Sequence, residues 1–178
     1  MSILKIAKLG HPVLRRPAQP VSAKEISSPE IQRLIRDMIE TMRENEGVGL
    51  AATQVHQTVQ ILVVEALGDP KSPKESTTPL TVLINPVITF ASENLEEGWE
   101  GCLSIPNMRG MVPRYQEIKV QAVDPSGRSI HIHARDFFAR VIQHEYDHLI
   151  GKIFLDRMRN LDTLTYLKEY SKFWQKPD

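Results

Sequence analysis

Residues 143–148 read Gln143-His144-Glu145-Tyr146-Asp147-His148, an H-E-x-x-H pattern. On a helix, His144 and His148 project from one face, one turn apart, so two imidazoles can hold one metal ion. Glu145 between them can sit beside a bound water and act as general base. Phe137, Phe138, Val141 and Ile142 precede the first histidine, and Gly151 follows the last. Apolar character on more than one side predicts a deeply placed helix over residues 135–149. Short strand signals recur before it. Together they predict a mixed α+β fold: mainly antiparallel strands surrounding a central metal-binding helix, with a C-terminal helix to follow.

A chain of 178 residues most simply makes one domain, taken here as residues 1–178, with one sizeable core. The 22 basic and 22 acidic residues cancel, so the bulk charge asks for neither a nucleic-acid nor an anionic-membrane partner. No apolar run is long enough to cross a bilayer, and residues 1–6 lack the apolar core of a secretory signal. The expected location is cytoplasmic. Cys102 is the only cysteine, so an internal disulfide is impossible. By itself, a lone cysteine reads as a small buried hydrophobe.

Working outward from the H-E-x-x-H stretch, residues 3–9 predict a short edge strand and the proline-rich residues 11–20 a wrapping loop. Pro12 makes a turn role for His11 the better reading over a ligand. Ser28 as N-cap, Pro29 at the first position and the stripe Ile31, Leu34, Ile35, Met38, Met42 predict a helix over residues 29–45 that Gly47 stops. Residues 47–54, with two glycines and two alanines, form a packed turn rather than a phosphate loop, lacking the Gly-Lys-Ser/Thr ending. Strands follow at residues 60–66, 80–84 and 87–90, the last two interrupted by Asn85-Pro86, with a polar exposed loop at residues 68–79. The acidic residues 93–100 read as a solvated connection, and residues 103–106 as a short strand-like piece ending in proline. Residues 117–123 and 128–134 make a hairpin about the turn Asp124-Pro125-Ser126-Gly127. His131 and His133 share a strand face there, and the alternation favours a solvated face over a ligand pair. A last helix is expected over residues 161–174, with Leu164, Leu167 and Tyr170 inward and Leu161, Phe173 and Trp174 as flanking anchors.

His144 and His148 supply two nitrogens, and Cys102 is the best third ligand because a thiolate binds divalent metals strongly. Three protein ligands and a water make a catalytic rather than a structural site. Glu145 would take a proton from the metal-bound water and pass it to the departing nitrogen. Gln54 and the backbone N–H of Leu103 are candidate donors to the developing oxyanion. Asp147 is expected to hold a neighbouring loop or helix terminus, and Tyr146 to pack. Sulfur and nitrogen ligands suit both Zn(2+) and Fe(2+).

At this point the sequence resembles the peptide deformylases. Three separated blocks carry the resemblance: G-V-G-L-A-A-T-Q at 47–54, E-G-C-L-S at 100–104 and Q-H-E-Y-D-H at 143–148. Residues 149–156, L-I-G-K-I-F-L-D, are similar to the family's extension of the histidine block. The resemblance runs from the first proline-rich turn to about Met158. It implies hydrolysis of the N-formyl group from the N-formylmethionine of newly made polypeptides, releasing formate. It implies one divalent metal ion, Fe(2+) ahead of Zn(2+), on Cys102, His144 and His148. It assigns Glu145 as base, and Gln54 with the Leu103 N–H as oxyanion donors. Gly49 corresponds to a backbone position that pairs with substrate, and Arg109 to an arginine at the substrate end of the site. Val48, Phe137 and Val141 are candidates for the methionine pocket. N-formylmethionyl nascent peptides, with a transient ribosome contact, are the implied partners. His56 stands where many members have glycine. Arg140 stands where an apolar residue often lines the pocket, either approaching a substrate carboxylate or pointing outward. Two other readings remain: a different metal-dependent peptidase, and a metal-stabilised binding protein without turnover.

Overall fold

The structure is a computed structural model and describes residues 2–66 and 78–175. In chain order it builds α1 (Ala23–Ile26), α2 (Pro29–Glu44), β1 (Gly49–Ala51), β2 (Ile61–Ala66), β3 (Thr78–Ala91), β4 (Leu95–Cys102) and β5 (Ile105–Tyr115). There follow β6 (Glu117–Val123), β7 (Ser129–Arg135), α3 (Asp136–Leu149), β8 (Thr165–Tyr166) and α4 (Leu167–Phe173). One antiparallel sheet has the order β1-β2-β3-β6-β7, and a smaller one the order β4-β5-β8.

The run Ile61-Leu62-Val63-Val64 is apolar without alternation because β2 is covered on both faces. Leu62 and Val64 join Ile118, Val120 and Ala134 in a core that takes Ala139, Val141, Ile142 and Leu149 from α3. Ile61 and Val63 face the other way, into a core with Leu50 and with Ile35, Met38 and Met42 of α2. The stripe read from the sequence is therefore the buried face of α2, capped by Ser28 Oγ, which accepts from the Ile31 N–H. The helix ends over Asn45, with Glu46 in the left-handed region at φ 53, and the Gly47 N–H returns to Met42 O.

The opposite side of α3 meets the smaller sheet. Gln143 clamps the two: its Oε1 accepts from the Tyr115 N–H at 3.0 Å, and its Nε2 donates to Tyr115 O at 2.8 Å. A third core of Cys102, Ile105, Val112, Ile153 and Phe154 fills the angle between β4, β5 and the chain leaving α3. The metal-motif helix thus lies among strands, as the sequence predicts.

Several expected elements differ. Residues 3–9 form no strand; they run as an irregular strap into a turn at Leu9-Gly10, with the Ala7 N–H donating to Gln54 O and the Leu9 N–H to Ser104 O. The two strands expected at 80–84 and 87–90 are one strand, β3. Asn85 (φ 51) makes a bulge there, and its amide pairs with the backbone of Val21, so Pro86 interrupts the ladder without ending it. The acidic stretch is no mere connection, since residues 95–100 lie in β4; Glu93, Glu96 and Glu97 are solvated as read, and Glu100 alone of the four is buried, while β5 runs on through Pro106 and Pro113. The last helix is shorter than expected: Thr165–Tyr166 pairs with β5, and only Leu167–Phe173 is helical. Leu161, Phe173 and Trp174 are all exposed, although Trp174, like Tyr170, packs on Trp99. Of the loop read over residues 68–79, residues 68–77 lie outside the described residues, and Thr78 and Pro79 open β3. The solvated-face reading of His131 and His133 holds: both are exposed.

Gly151 closes the end of α3 at φ 74, and a Cβ there would stand 2.6 Å from Arg15 O. A left-handed alanine costs roughly 1–2 kcal/mol, and the clash is with backbone. Gly151→Ala is expected to lower unfolding stability by at least about 1 kcal/mol, read as a lower urea midpoint at unchanged slope.

Candidate metal centre

Strand β4 ends on Cys102, and α3 presents His144 and His148 opposite it. One ligand atom from each lies within 4.8 Å of the others, all three residues buried. Cys102 Sγ is 3.3 Å from His148 Nε2. His144 Nδ1 is 2.9 Å from Glu100 Oε2, which turns its Nε2 away from the carboxylate and toward the cluster. A carboxylate behind a histidine fixes ring orientation and tautomer and raises the basicity of the ligating nitrogen. Phe154 backs the same ring, centroids 6.3 Å apart and nearly parallel.

Burial would push the Cys102 thiol up, but the His148 and His144 imidazoles outweigh it and hold it well below its usual value. Burial would likewise lower His144, yet its hydrogen bonds to Cys102 and Glu100 raise it well above the ordinary imidazole value. Glu100 is held far below the usual carboxylate range by His144 and Arg114 despite its burial. Sulfur as thiolate and two oriented imidazoles form a donor set that fits one divalent metal with a position open to solvent-derived oxygen.

Glu100 is itself anchored. Arg114 grips it bidentately, Nε to Oε1 at 2.9 Å and Nη2 to Oε2 at 3.0 Å, and reaches Asp147 Oδ2 with Nη1 at 2.6 Å. Arg157 adds a second guanidinium to Asp147. Asp147 thus ties α3 to β5 and to the following loop, in the role the sequence suggested for it. Glu100 and Arg114 were not foreseen as site residues. The signal for Glu100 was present: two residues before Cys102 on a strand, it shares that residue's face. No local pattern points to Arg114.

A cleft of about 540 Å³ opens over the cluster. Cys102, His144, Glu145, Gln54 and Leu103 line it, as do Val48, Gly49, Arg109, Phe137 and Val141, so every residue given a metal, catalytic or substrate role from the sequence except His148 borders the cleft. His148 lies beneath it, 1% exposed. Gln54 is set by its partners: Oε1 accepts from the Ala51 N–H at 2.8 Å, and Nε2 points at Ser104 Oγ (3.2 Å) and Cys102 Sγ (3.4 Å). Gly49 is required by close approach, since a Cβ there would stand 2.8 Å from the Glu145 Cδ. Glu145 Oε2 is buried and has no hydrogen-bond partner among the described residues. Burial pushes its carboxyl up to about 7, against the lowering effect of His144 and His148.

The two departures resolve differently. His56 takes the left-handed region at φ 65 and packs edge-on against His11, 4.7 Å between centroids, while His11 Nδ1 caps its own turn by accepting from Val13. Arg140 neither points outward nor stands free toward a substrate carboxylate: its guanidinium is bonded to Glu100 and to backbone carbonyls of β4 and β5.

Residues 3–163 match the family model described as Polypeptide deformylase. Peptide deformylase 1 of Bordetella pertussis is 45% identical over 161 residues, 90% of each chain. Peptide deformylase 2 of Pseudomonas putida is 45% identical over 164 residues, 92% of each. Among solved structures, the Met-Ala-Ser-bound class I type b peptide deformylase of Acinetobacter baumannii superposes with a TM-score of 0.84 at 37% identity, covering 88% of this chain and 99% of that one.

Glu100→Gln is expected to weaken metal retention by about 10–100-fold, the usual effect of losing an outer-shell carboxylate. Chelator competition on the metal-loaded protein checks this; unchanged retention would contradict the orienting role.

Proposed function

The chain belongs to the peptide deformylase family, and from that premise we propose how its residues remove the formyl group from N-formylmethionyl peptides. The carrying observation is that Cys102, His144 and His148 converge within 4.8 Å beneath a cleft that Gln54 and Glu145 also line. These three residues would hold one divalent metal. When bound, it supplies Lewis-acid polarisation and an acidified water. The choice of Fe(2+) over Zn(2+) rests on the family resemblance, because the donor set suits both.

The chain's own groups then divide the work. Glu145 takes a proton from the attacking water at its unpartnered Oε2 and delivers it to the departing amine. A carboxyl near neutral pKa suits that exchange. Gln54 Nε2, aimed by Ala51 and Ser104, and the Leu103 N–H donate to the oxygen on which charge develops. Among the described residues β1 pairs only with β2, which leaves its other edge for an extended peptide at Gly49. Val48, Phe137 and Val141 offer apolar surface for an unbranched thioether, and Arg109 borders the route of the following residues. The Met-Ala-Ser bound to the Acinetobacter baumannii relative has the form of a deformylated product, which supports a methionyl peptide as the ligand class.

Family identity implies action on nascent polypeptides, and we extend it to work in the cytoplasm with a transient ribosome contact. Among the described residues no helix is long and apolar enough to cross a membrane.

A matched peptide pair tests the activity. The Fe(II)-loaded protein, handled anaerobically, is expected to release formate from an N-formylmethionyl peptide and to leave its N-acetyl counterpart intact. Cleavage within the peptide would select the peptidase reading, and no turnover at full metal occupancy would select the binding reading. Glu145→Gln should keep its metal and lose about 10²–10⁴-fold in kcat. Near-normal turnover in that variant would remove Glu145 from the base role.

A further inference from the structure

Arg140 lies one helical turn before His144 and is mostly buried, its side chain 12% exposed. Its Nη1 donates to Glu100 Oε1 at 3.0 Å and to Val112 O at 2.8 Å, with Gly98 O at 3.5 Å, and its Nη2 donates to Glu96 O at 2.6 Å. These acceptors lie on β4 and β5. The guanidinium therefore spans from the helix that carries both histidines to the strand that carries Cys102. Arg114 makes the reverse crossing, from β5 to Asp147 on α3.

Room for the guanidinium comes from Gly98. A Cβ at that position would lie 2.8 Å from Cζ, 2.9 Å from Nη2 and 3.0 Å from Nε of Arg140. The contact is with the end of a flexible side chain, so an added methyl would displace the guanidinium more readily than it would distort the strand. Glu100 is saturated as a result. Oε1 takes Arg114 Nε and Arg140 Nη1, and Oε2 takes Arg114 Nη2 and His144 Nδ1. Both lone pairs of each oxygen are used.

We propose that Arg140 is a positioning residue, a brace that fixes β4 against α3 and so sets the distance between Cys102 and the two histidines. Its side chain also borders the cleft, but its guanidinium hydrogen bonds go to Glu100 and to the β4 and β5 backbone, and it is through these that it acts. A guanidinium suits the task because its planar fork satisfies several acceptors at once, which an ammonium cannot do in the same plane. The proposal rests on Cys102, His144 and His148 being the metal ligands.

The test uses the whole chain loaded with Co(II), whose thiolate charge-transfer and d–d bands report ligand geometry. Arg140→Met is expected to release Co(II) to excess chelator about tenfold faster than the unaltered protein, with a shifted d–d spectrum. Arg140→Lys should fall between the two, and Gly98→Ala should follow Arg140→Met. Met38→Ala, in the core under α2, controls for lost stability. Release within twofold of the unaltered protein with superimposable spectra in Arg140→Met overturns the brace, as does equally fast release from Met38→Ala. Should Arg140→Met fail to fold, Gly98→Ala decides by the same criteria. Formate release by the unaltered protein is scored apart. Its absence would remove the proposed activity while the brace stood or fell on metal release alone.

Discussion

One buried carboxylate organises this site. Glu100 is 6% exposed and carries its charge only because two guanidiniums and an imidazole surround it. Desolvating such a group costs several kcal/mol, and attraction repays it only when the remaining lone pairs are satisfied. The arrangement is therefore poorly suited to supplying stability and well suited to supplying position. Losing one partner of a buried pair costs about 3–5 kcal/mol, since the other is left uncompensated. Each member of the Glu100–Arg114–Asp147–Arg157 chain consequently enforces the placement of the next.

That network explains how ligands from distant parts of the sequence reach one point. Cys102 ends β4, in a sheet separate from the one on which α3 rests. Apolar packing fixes α3 on the larger sheet through Val141 and Ile142, but packing is non-directional and does not fix a sulfur relative to two nitrogens. Hydrogen bonds do. Gln143 clamps α3 to the Tyr115 backbone, Arg114 and Arg140 cross between the elements in opposite directions, and Glu100 sets the ring of His144. Polar crosslinks on one side of the helix thus complete an alignment begun by the core on the other.

The sequence was most legible where one local rule dominates. Ser28 and Pro29 mark the start of α2, alternation marks β6 and β7, and the spacing of His144 and His148 names both the helix and its chemistry. It misled where tertiary contacts override a local rule. Asn85 and Pro86 signal a break, but the Asn85 amide pairs with Val21 and the strand continues. Glu100 looks as solvated as Glu93, Glu96 and Glu97, which are exposed, because its charge is visible while the arginines that neutralise it, at positions 114 and 140, are far along the chain. Residues 3–9 have strand-like spacing, yet their backbone bonds go to Gln54 and Ser104 rather than to a ladder. In each case the deciding partner is remote in sequence and carries no periodic signature.

The same residues show why substrate binding and chemistry cannot be varied independently. Gly49 belongs to the open edge of β1, and its missing Cβ is what lets the Glu145 carboxyl lie against that edge. The strap over residues 3–9 holds the turn that follows β1 and the β4–β5 connection, with the Ala7 N–H on the Gln54 carbonyl and Lys8 Nζ on the Leu103 carbonyl at 2.8 Å. The backbone offered to a peptide, the carboxyl that moves its proton and the two candidate oxyanion donors therefore sit on three segments packed against one another: residues 49–54, the β4–β5 connection and α3. A shift in β1 large enough to admit a different peptide geometry would move Glu145 or Gln54 with it. Freedom to change selectivity lies instead at the rim, where Val48 is exposed and carries no catalytic partner.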